Sequence, residues 1–356
     1  MDEHNGMANG SDILISIVNY RTPEHCVPCL ASLVGEREQL PGLKVVVADG
    51  ASGDNSIEFI QSWIENEQHG DWITLLPLAI NGGFGWAHNQ VILRALQADT
   101  PPRFIHILNP DTVIEPSAVA SLRRAFDNDP KAGAIGSQMI NAEGGLQPAG
   151  FRLAGLRTEF ARGANAGRIA RLLGAKDTVI RPDEDTAAIE AVSGASFMVR
   201  ATALSDVGLF DTGFFLYFEE FEWMGRFKRG GWKVAHEPRS RVHHAGGAAT
   251  KLSRDRKVLA QSARPFYWYQ SQRRFLYRTL GSKGARAAGA AWFLGHFLIA
   301  LPRAFFSATV RRRMVKNEGR DMLRAWLVGE RFDRQSHVLS PADPIDEPPA
   351  WQARQP

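Results

Sequence analysis

The chain has 356 residues, 44% hydrophobic and 22% charged, which is ample for a packed core and excludes a wholly disordered protein or a long coiled coil. Two cysteines exclude a disulfide scaffold and point to a reducing compartment. The net charge of +4 is uneven: residues 1–250 hold 22 basic against 30 acidic side chains, and residues 251–356 hold 20 against 8, so the C-terminal part suits an anionic partner, nucleic acid or membrane surface.

Residues 1–11 are polar and read as a disordered N-terminus, and the apolar run Ile13–Val18 is too short for a secretory leader. That run reads as a buried strand, and Thr22-Pro23-Glu24 opens a helix to about Val34, with the threonine as cap. Leu43–Asp49 is a second strand. Its turn, Gly50-Ala51-Ser52-Gly53-Asp54, leads into a helix with Ile57, Ile60, Trp63 and Ile64 at helical spacing. Ile73–Leu76, Phe104–Leu108 and Ala132–Ser137 are further strands, with helices over Ala87–Ala98 and Pro116–Asn128. Such alternation predicts a mainly parallel α/β sheet flanked by helices, with ligands at the carboxyl ends of the strands. The polar clusters at 49–54, 81–85 and 109–112 fall there. Residues 141–188, rich in Gly, Ala and Arg, read as loops and short helices over the sheet edge, before regular segments return at Ala191–Arg200 and Trp232–His236. Beyond 250 the pattern is helical, aromatic and basic. The apolar run Ala287–Leu301 is shorter than the roughly 20 residues that span a bilayer. The tail 336–356, with Pro341, Pro344, Pro348 and Pro349, is expected to be disordered.

Four clusters carry possible chemistry. Asp49 ends a buried strand and can accept hydrogen bonds from a base or ribose, whereas Asp54 is equally a helix cap. Asp111, in Asn109-Pro110-Asp111 after another buried strand, can bind a divalent cation that holds a diphosphate; an Asx-type turn is the plainer alternative. Glu219, Glu220 and Glu222 stand among large aromatics, where desolvation raises a carboxyl toward general-base range. His243 and His244 precede a flexible turn, and one imidazole can complete a metal site. Cys26-Val27-Pro28-Cys29 has redox spacing, but its context favours helix packing. In 251–331, rings beside the apolar Ala287–Leu301 and Arg311-Arg312-Arg313 fit a membrane-surface anchor better than a buried bundle, and either better than nucleic acid.

Taken in order, these segments resemble the inverting family 2 glycosyltransferases of GT-A fold, in particular the rhamnosyltransferase-like branch of polysaccharide assembly. The likeness covers residues 12–250. It rests on Ser16-Ile17-Val18-Asn19-Tyr20, Val47-Ala48-Asp49 with Ser52–Ser56, Asn81-Gly82-Gly83-Phe84-Gly85 with Asn89, and Asn109-Pro110-Asp111-Thr112. It continues in Val192–Arg200, Val207–Asp211, Phe215–Glu222 and Val242-His243-His244. The resemblance implies Asn19, Asp49, Asn81, Gly82, Gly83 and Asn109 on the nucleotide-sugar donor, and Asp111 with His244 on Mg²⁺ or Mn²⁺. It implies Glu220 as catalytic base, with Glu219, Glu222 and Gly194 either on the acceptor side or supporting the base. Where the family usually has Glu-Asp, this chain has Glu219-Glu220; Gly50 replaces a frequent Asn, and Glu222 precedes Trp223 where Asp before Leu is usual.

The expected architecture is a GT-A domain over 12–250 and a helical, membrane-associating segment over 251–335. The expected activity is metal-dependent transfer of a sugar to a saccharide, free or lipid-linked, on the inner face of the cell membrane, with no nucleic-acid partner. A glycoside hydrolase is disfavoured because its two carboxyls stand about 5–9.5 Å apart across a sugar, which neighbours on one helix do not. An inactive membrane-bound scaffold is the other rival.

Overall fold

In β1 (Ile13–Asn19), alternate side chains enter the two faces of a sheet that is covered on both sides. The chain is described by a computed structural model over residues 12–172, 174, 179–182, 189–244, 263–328 and 330–354. The expectations for 1–11 and for 251–262 lie outside the described residues. From β1 the chain runs through α1 (Pro23–Ser32) and α2 (Val34–Gln39) to β2 (Lys44–Asp49), through α3 (Ser56–Asn66) to β3 (Ile73–Pro77), and through α4 (Phe84–Leu96) to β4 (Phe104–Leu108). Next come β5 (Thr112–Ile114), α5 (Ala118–Asn128), β6 (Ala132–Ile140), β7 (Gly150–Phe151), α6 (Leu156–Ala164), α7 (Gly167–Leu172) and β8 (Val179–Ile180). They are followed by β9 (Ser196–Arg200), α8 (Leu204–Val207), α9 (Glu219–Arg229) and β10 (Lys233–His244).

The main sheet has the order β3-β2-β1-β4-β9-β6-β10-β5, with β9 and β5 antiparallel to the rest. Strand order reverses between β1 and β4, so their carboxyl ends diverge and leave a crevice there. Ile13, Ile15, Ile17, Val45 and Val47 pack on one face against Cys26, Cys29 and Leu30 of α1 and Ile60 of α3. Leu14, Val46 and Ala48 pack on the other against Trp86 and Val91 of α4. The two cysteines are buried and free, and burial pushes the Cys29 thiol up to about 12, which fits packing and not redox chemistry. The Thr22 hydroxyl does not cap α1; it donates to Asn19 Oδ1 at 3.2 Å instead.

The C-terminal helices are α10 (Phe266–Gly295), α11 (Leu301–Phe306), α12 (Ala308–Arg312), α13 (Glu318–Leu327) and α14 (Glu330–Arg334). A widened turn, His296–Ala300, continues α10 into α11, and α10 breaks at Gly281, whose φ is +66°. By length and composition alone, the helix Phe266–Phe306 is long and apolar enough to cross a membrane.

Two expectations change here. Arg273 and Arg274 of α10 do not face an anionic surface; they are buried. Arg274 donates to both Asp211 oxygens at 2.6 and 2.8 Å, and Arg273 donates to Asp333. A buried charge requires such a partner, so part of the basic excess is internal. Residues 336–354, expected to be disordered, form an ordered strap across the catalytic half. Leu209 N donates to Leu339 O at 2.8 Å, and Arg94 pairs with Asp346 at 2.7 Å. Trp351 Nε1 donates to Gly82 O at 2.8 Å, and Trp86 Nε1 to Glu347 O at 2.7 Å. Anchoring indoles supply the burial that the proline-rich composition lacks.

Candidate active site

A cleft of about 530 Å³ opens at the β1–β4 switch point. Tyr20 and Thr22 after β1, Gly50 after β2, and Asn109, Pro110 and Asp111 after β4 line it. Asn81, Gly83, Phe215–Tyr217, His244 and Tyr267 complete the lining. Asn81 Oδ1 accepts from Gly83 N at 3.1 Å. Gly83 has φ +87°, and a Cβ there would stand 2.1 Å from Phe215 O, so only glycine fits. Thus α4 starts against the 215–217 turn.

Asp111 and His244 converge on this cleft, from the end of β4 and the end of β10. His244 Nε2 lies 3.3 Å from Asp111 Oδ1. His243, one step along the strand, points elsewhere and pairs with Glu115 at 3.0 Å. Among the described residues, no Lys or Arg lines the cleft. Two neighbouring ligands of an octahedral ion, each at about 2.1 Å, lie about 3 Å apart, so the Asp111–His244 spacing fits a shared divalent metal. No cluster of three or more His, Cys, Asp or Glu suited to a metal occurs among the described residues, so the remaining ligands would be substrate oxygens and water.

Helix α9 supplies the acidic group. Its N-terminus follows two residues with positive φ, Tyr217 at 73° and Phe218 at 71°, which such bulky residues adopt only when packing imposes it. Trp223 holds the helix in place: its ring packs at a tilt on Phe210, centroids 4.0 Å apart, and it donates to Gly208 O at 2.8 Å. The helix dipole favours carboxylates in the first turn, but burial wins. It pushes the Glu220 carboxyl up to about 7. It raises Glu219 well above the carboxylate range, with the charge of Glu220 adding to the effect. Glu219 is buried, and its Oε2 has no hydrogen-bond partner. Gly194 packs on Glu220: a Cβ there would meet its side chain at 3.2 Å. Its neighbour Ala195 accepts from Asn109 N at 2.9 Å, so one loop touches both Glu220 and the Asp111 segment.

Several expected site residues stand behind the cleft and not on it. Asp49 is fully buried. Its oxygens accept from Asn19 Nδ2 at 2.8 Å, Ser52 N at 2.9 Å and Ser52 Oγ at 2.7 Å. Asp49 and Asn19 therefore clasp the β1 and β2 ends together and leave Gly50 at the surface of the cleft. Gly82 is also behind the wall, and its Cβ position is filled by the Trp86 ring. Glu222 is not on an acceptor side: it is buried and grips Arg226 Nε at 2.9 Å, while Arg226 also bonds Val207 O and Leu209 O. Asp54 is exposed and accepts from Ser56 N at 3.0 Å at the start of α3, as a cap does. Conversely, Tyr267 lines the cleft from inside an aromatic run expected to meet membrane, and Trp351 braces Phe215 at a ring distance of 5.0 Å.

Residues 13–170 match the family model described as glycosyl transferase family 2. The match places a family 2 glycosyltransferase model on the first part of the chain, from β1 to α7. An N-acetylglucosaminyl-diphospho-decaprenol L-rhamnosyltransferase of Mycobacterium tuberculosis is 26% identical over 244 residues, covering 66% of this chain and 76% of the relative. Among solved structures, a mannosyltransferase of Pyrobaculum calidifontis in complex with GDP-Man and Mn²⁺ is 14% identical, with a TM-score of 0.51 over 90% of this chain and 87% of the other. TarS residues 1–349 of S. aureus is 14% identical, with a TM-score of 0.50 over 88% and 78%. The glycosyltransferase has the GT-A fold.

Proposed function

We propose that this glycosyltransferase moves a sugar, rhamnose by analogy with the mycobacterial relative, from a nucleoside-diphosphate sugar to a hydroxyl of a lipid-linked saccharide, with inversion. The observation that carries it is the joint placement of Asp111 with His244 on the cleft and desolvated Glu220 beside Gly194. The nucleotide lies between Tyr20, Gly50 and Asn81, and its diphosphate faces Asp111 and His244. A divalent ion held there offsets the negative charge that develops on the leaving diphosphate. Glu220 takes the proton of the acceptor hydroxyl, the attacking oxygen bonds to the anomeric carbon, and the glycosyl–phosphate bond breaks on the opposite face. A single displacement inverts the centre. An acceptor related to that of the mycobacterial enzyme is an N-acetylglucosaminyl diphospholipid.

We also place the enzyme on the inner face of the membrane. Leu298, Phe305 and Phe306 are 68%, 79% and 86% exposed, with exposed Arg303, Arg311, Arg312 and Arg313 nearby in the chain, a pattern suited to an anionic interface. Replacing Phe305 and Phe306 with Asp should reduce sedimentation with anionic liposomes several-fold and leave the melting temperature unchanged; equal sedimentation would remove this docking face.

The test of the donor site is thermal shift with dTDP, UDP and GDP, with and without Mn²⁺. One nucleotide should stabilise the protein only with metal, by about 2.7 kcal/mol at a hundredfold excess over Kd. Asp111→Asn should abolish that shift. A cooperative melt indifferent to every nucleotide would overturn the reading.

A further inference from the structure

A second space, of about 400 Å³, lies beside α6, and adjacent residues divide it from the donor cleft. Tyr217 lines the cleft and Phe218 lines this cavity; Tyr267 lines the cleft and Trp268 lines the cavity. The strained 217–218 turn is therefore the partition, and the bases follow it directly. Cavity walls Phe218 and Phe221 bracket Glu219 and Glu220 in the chain. A transferase brings two substrates to one base, and here the walls of two spaces adjoin in the chain at the turn that precedes Glu219 and Glu220.

The walls state what kind of molecule fits. Phe151, Phe218, Phe221 and Trp268 offer flat apolar faces, which match the C–H face of a sugar ring. Polar groups sit on one side. Gln272 is 2% exposed, and its Nε2 donates to Glu159 at 2.8 Å. Its Oε1 is buried without a hydrogen-bond partner, a state that a ligand hydroxyl would relieve. Arg152 and Arg162 also line the cavity, Arg162 being paired with Glu159 at 2.7 Å and with Glu318 at 3.4 Å. Helix α6 packs directly on α10: Cβ atoms at Gly163 and Gly295 would strike Trp292 O and Phe160 O, and the widened turn continues α10 into the segment that exposes Leu298, Phe305 and Phe306.

Building on the glycosyltransferase reading, we propose that this cavity seats the acceptor, a saccharide ring joined through a phosphate-type linker to a lipid. The test is calorimetric titration of the full-length protein with a short-chain alkyl diphospho-N-acetylglucosamine. Ala154→Trp, which fills the cavity, should weaken binding at least tenfold, and Gln272→Leu several-fold, while the nucleotide-plus-Mn²⁺ thermal shift stays at the wild-type value. That shift also reports that each variant is folded. Unchanged affinity in a folded Ala154→Trp protein, or in Gln272→Leu if the tryptophan variant does not fold, overturns the acceptor seat and leaves the donor reading standing. Equal affinity for the alkyl diphosphate without its sugar overturns the sugar seat in favour of a lipid one. Loss of the nucleotide shift from the wild-type protein itself is the separate failure of the glycosyltransferase reading.

Discussion

Glu220 is set between two opposed fields. The N-terminus of α9 favours its anion, and burial disfavours it; burial prevails and carries the carboxyl to about 7. A base must be ionised to act, so the rate should rise with pH and level off above about 7. Glu220→Gln removes the base, and should lower kcat by about 10²–10⁴-fold and erase that limb, with the nucleotide thermal shift retained. An unchanged limb in Glu220→Gln would move the role elsewhere, first to Glu219. The same shift has a stability sign: the folded state binds a proton at Glu220 that the unfolded chain has already released, so this residue disfavours folding increasingly as pH climbs from about 4.5 to 7.

Among the elements, the strap 336–354 does the least expected work. It ties together the two features that shape the cleft, the Gly82-Gly83 turn and Phe215, through one indole. Trp351→Phe keeps a ring against Phe215 and deletes the bond to Gly82 O, a loss of about 0.5–1.5 kcal/mol. Donor KM should rise several-fold with kcat near wild type; an unaltered donor KM would show that the strap is a passive tie. The strap also shows which features sequence can reveal. The placement of strand-end polar groups such as Asp111 on the cleft was legible, because a carboxylate directly after a buried run in an α/β pattern falls at the sheet's carboxyl edge. The desolvation of Glu220 was legible from its aromatic neighbours. Asp49 followed the same rule and misled, since Ser52, three residues on, closes the carboxylate into the interior. Trp351 and Tyr267 could not be placed at all: the Gly82 contact spans 269 positions, and local composition carries no record of a partner so distant. Prolines lower the entropy of the unfolded chain, so a proline-rich segment with one good anchor orders readily.

At the scale of the whole molecule, the catalytic half and the helical half are one folding unit, joined at Asp211. That carboxylate follows the Val207–Phe210 segment packed under Trp223, is fully buried, and is held below the usual carboxylate range, against its burial, by Arg274 and then by Gly213 N and Arg278. Arg274 also donates to Phe332 O and Gln335 O, at 3.0 Å each, and so fastens α10 to the start of the strap. Gly213 makes room for it: a Cβ there would stand 2.3 Å from the guanidinium carbon. Removing the arginine leaves the buried anion with only Gly213 N and Arg278, and takes the donor from two carbonyls. Arg274→Ala should therefore cost about 3–5 kcal/mol, whereas a joint replacement of Asp211 and Arg274 by apolar residues should cost less than the two single changes together. A fragment ending at residue 250 has the anion and no arginine, so it should not melt cooperatively, and its failure to bind liposomes would say nothing about docking. Chemical denaturation of the two single variants and the double variant decides it. Strict additivity would mean that Asp211 and Arg274 are separately solvated, and that the two halves are joined by the apolar contacts of α10 alone.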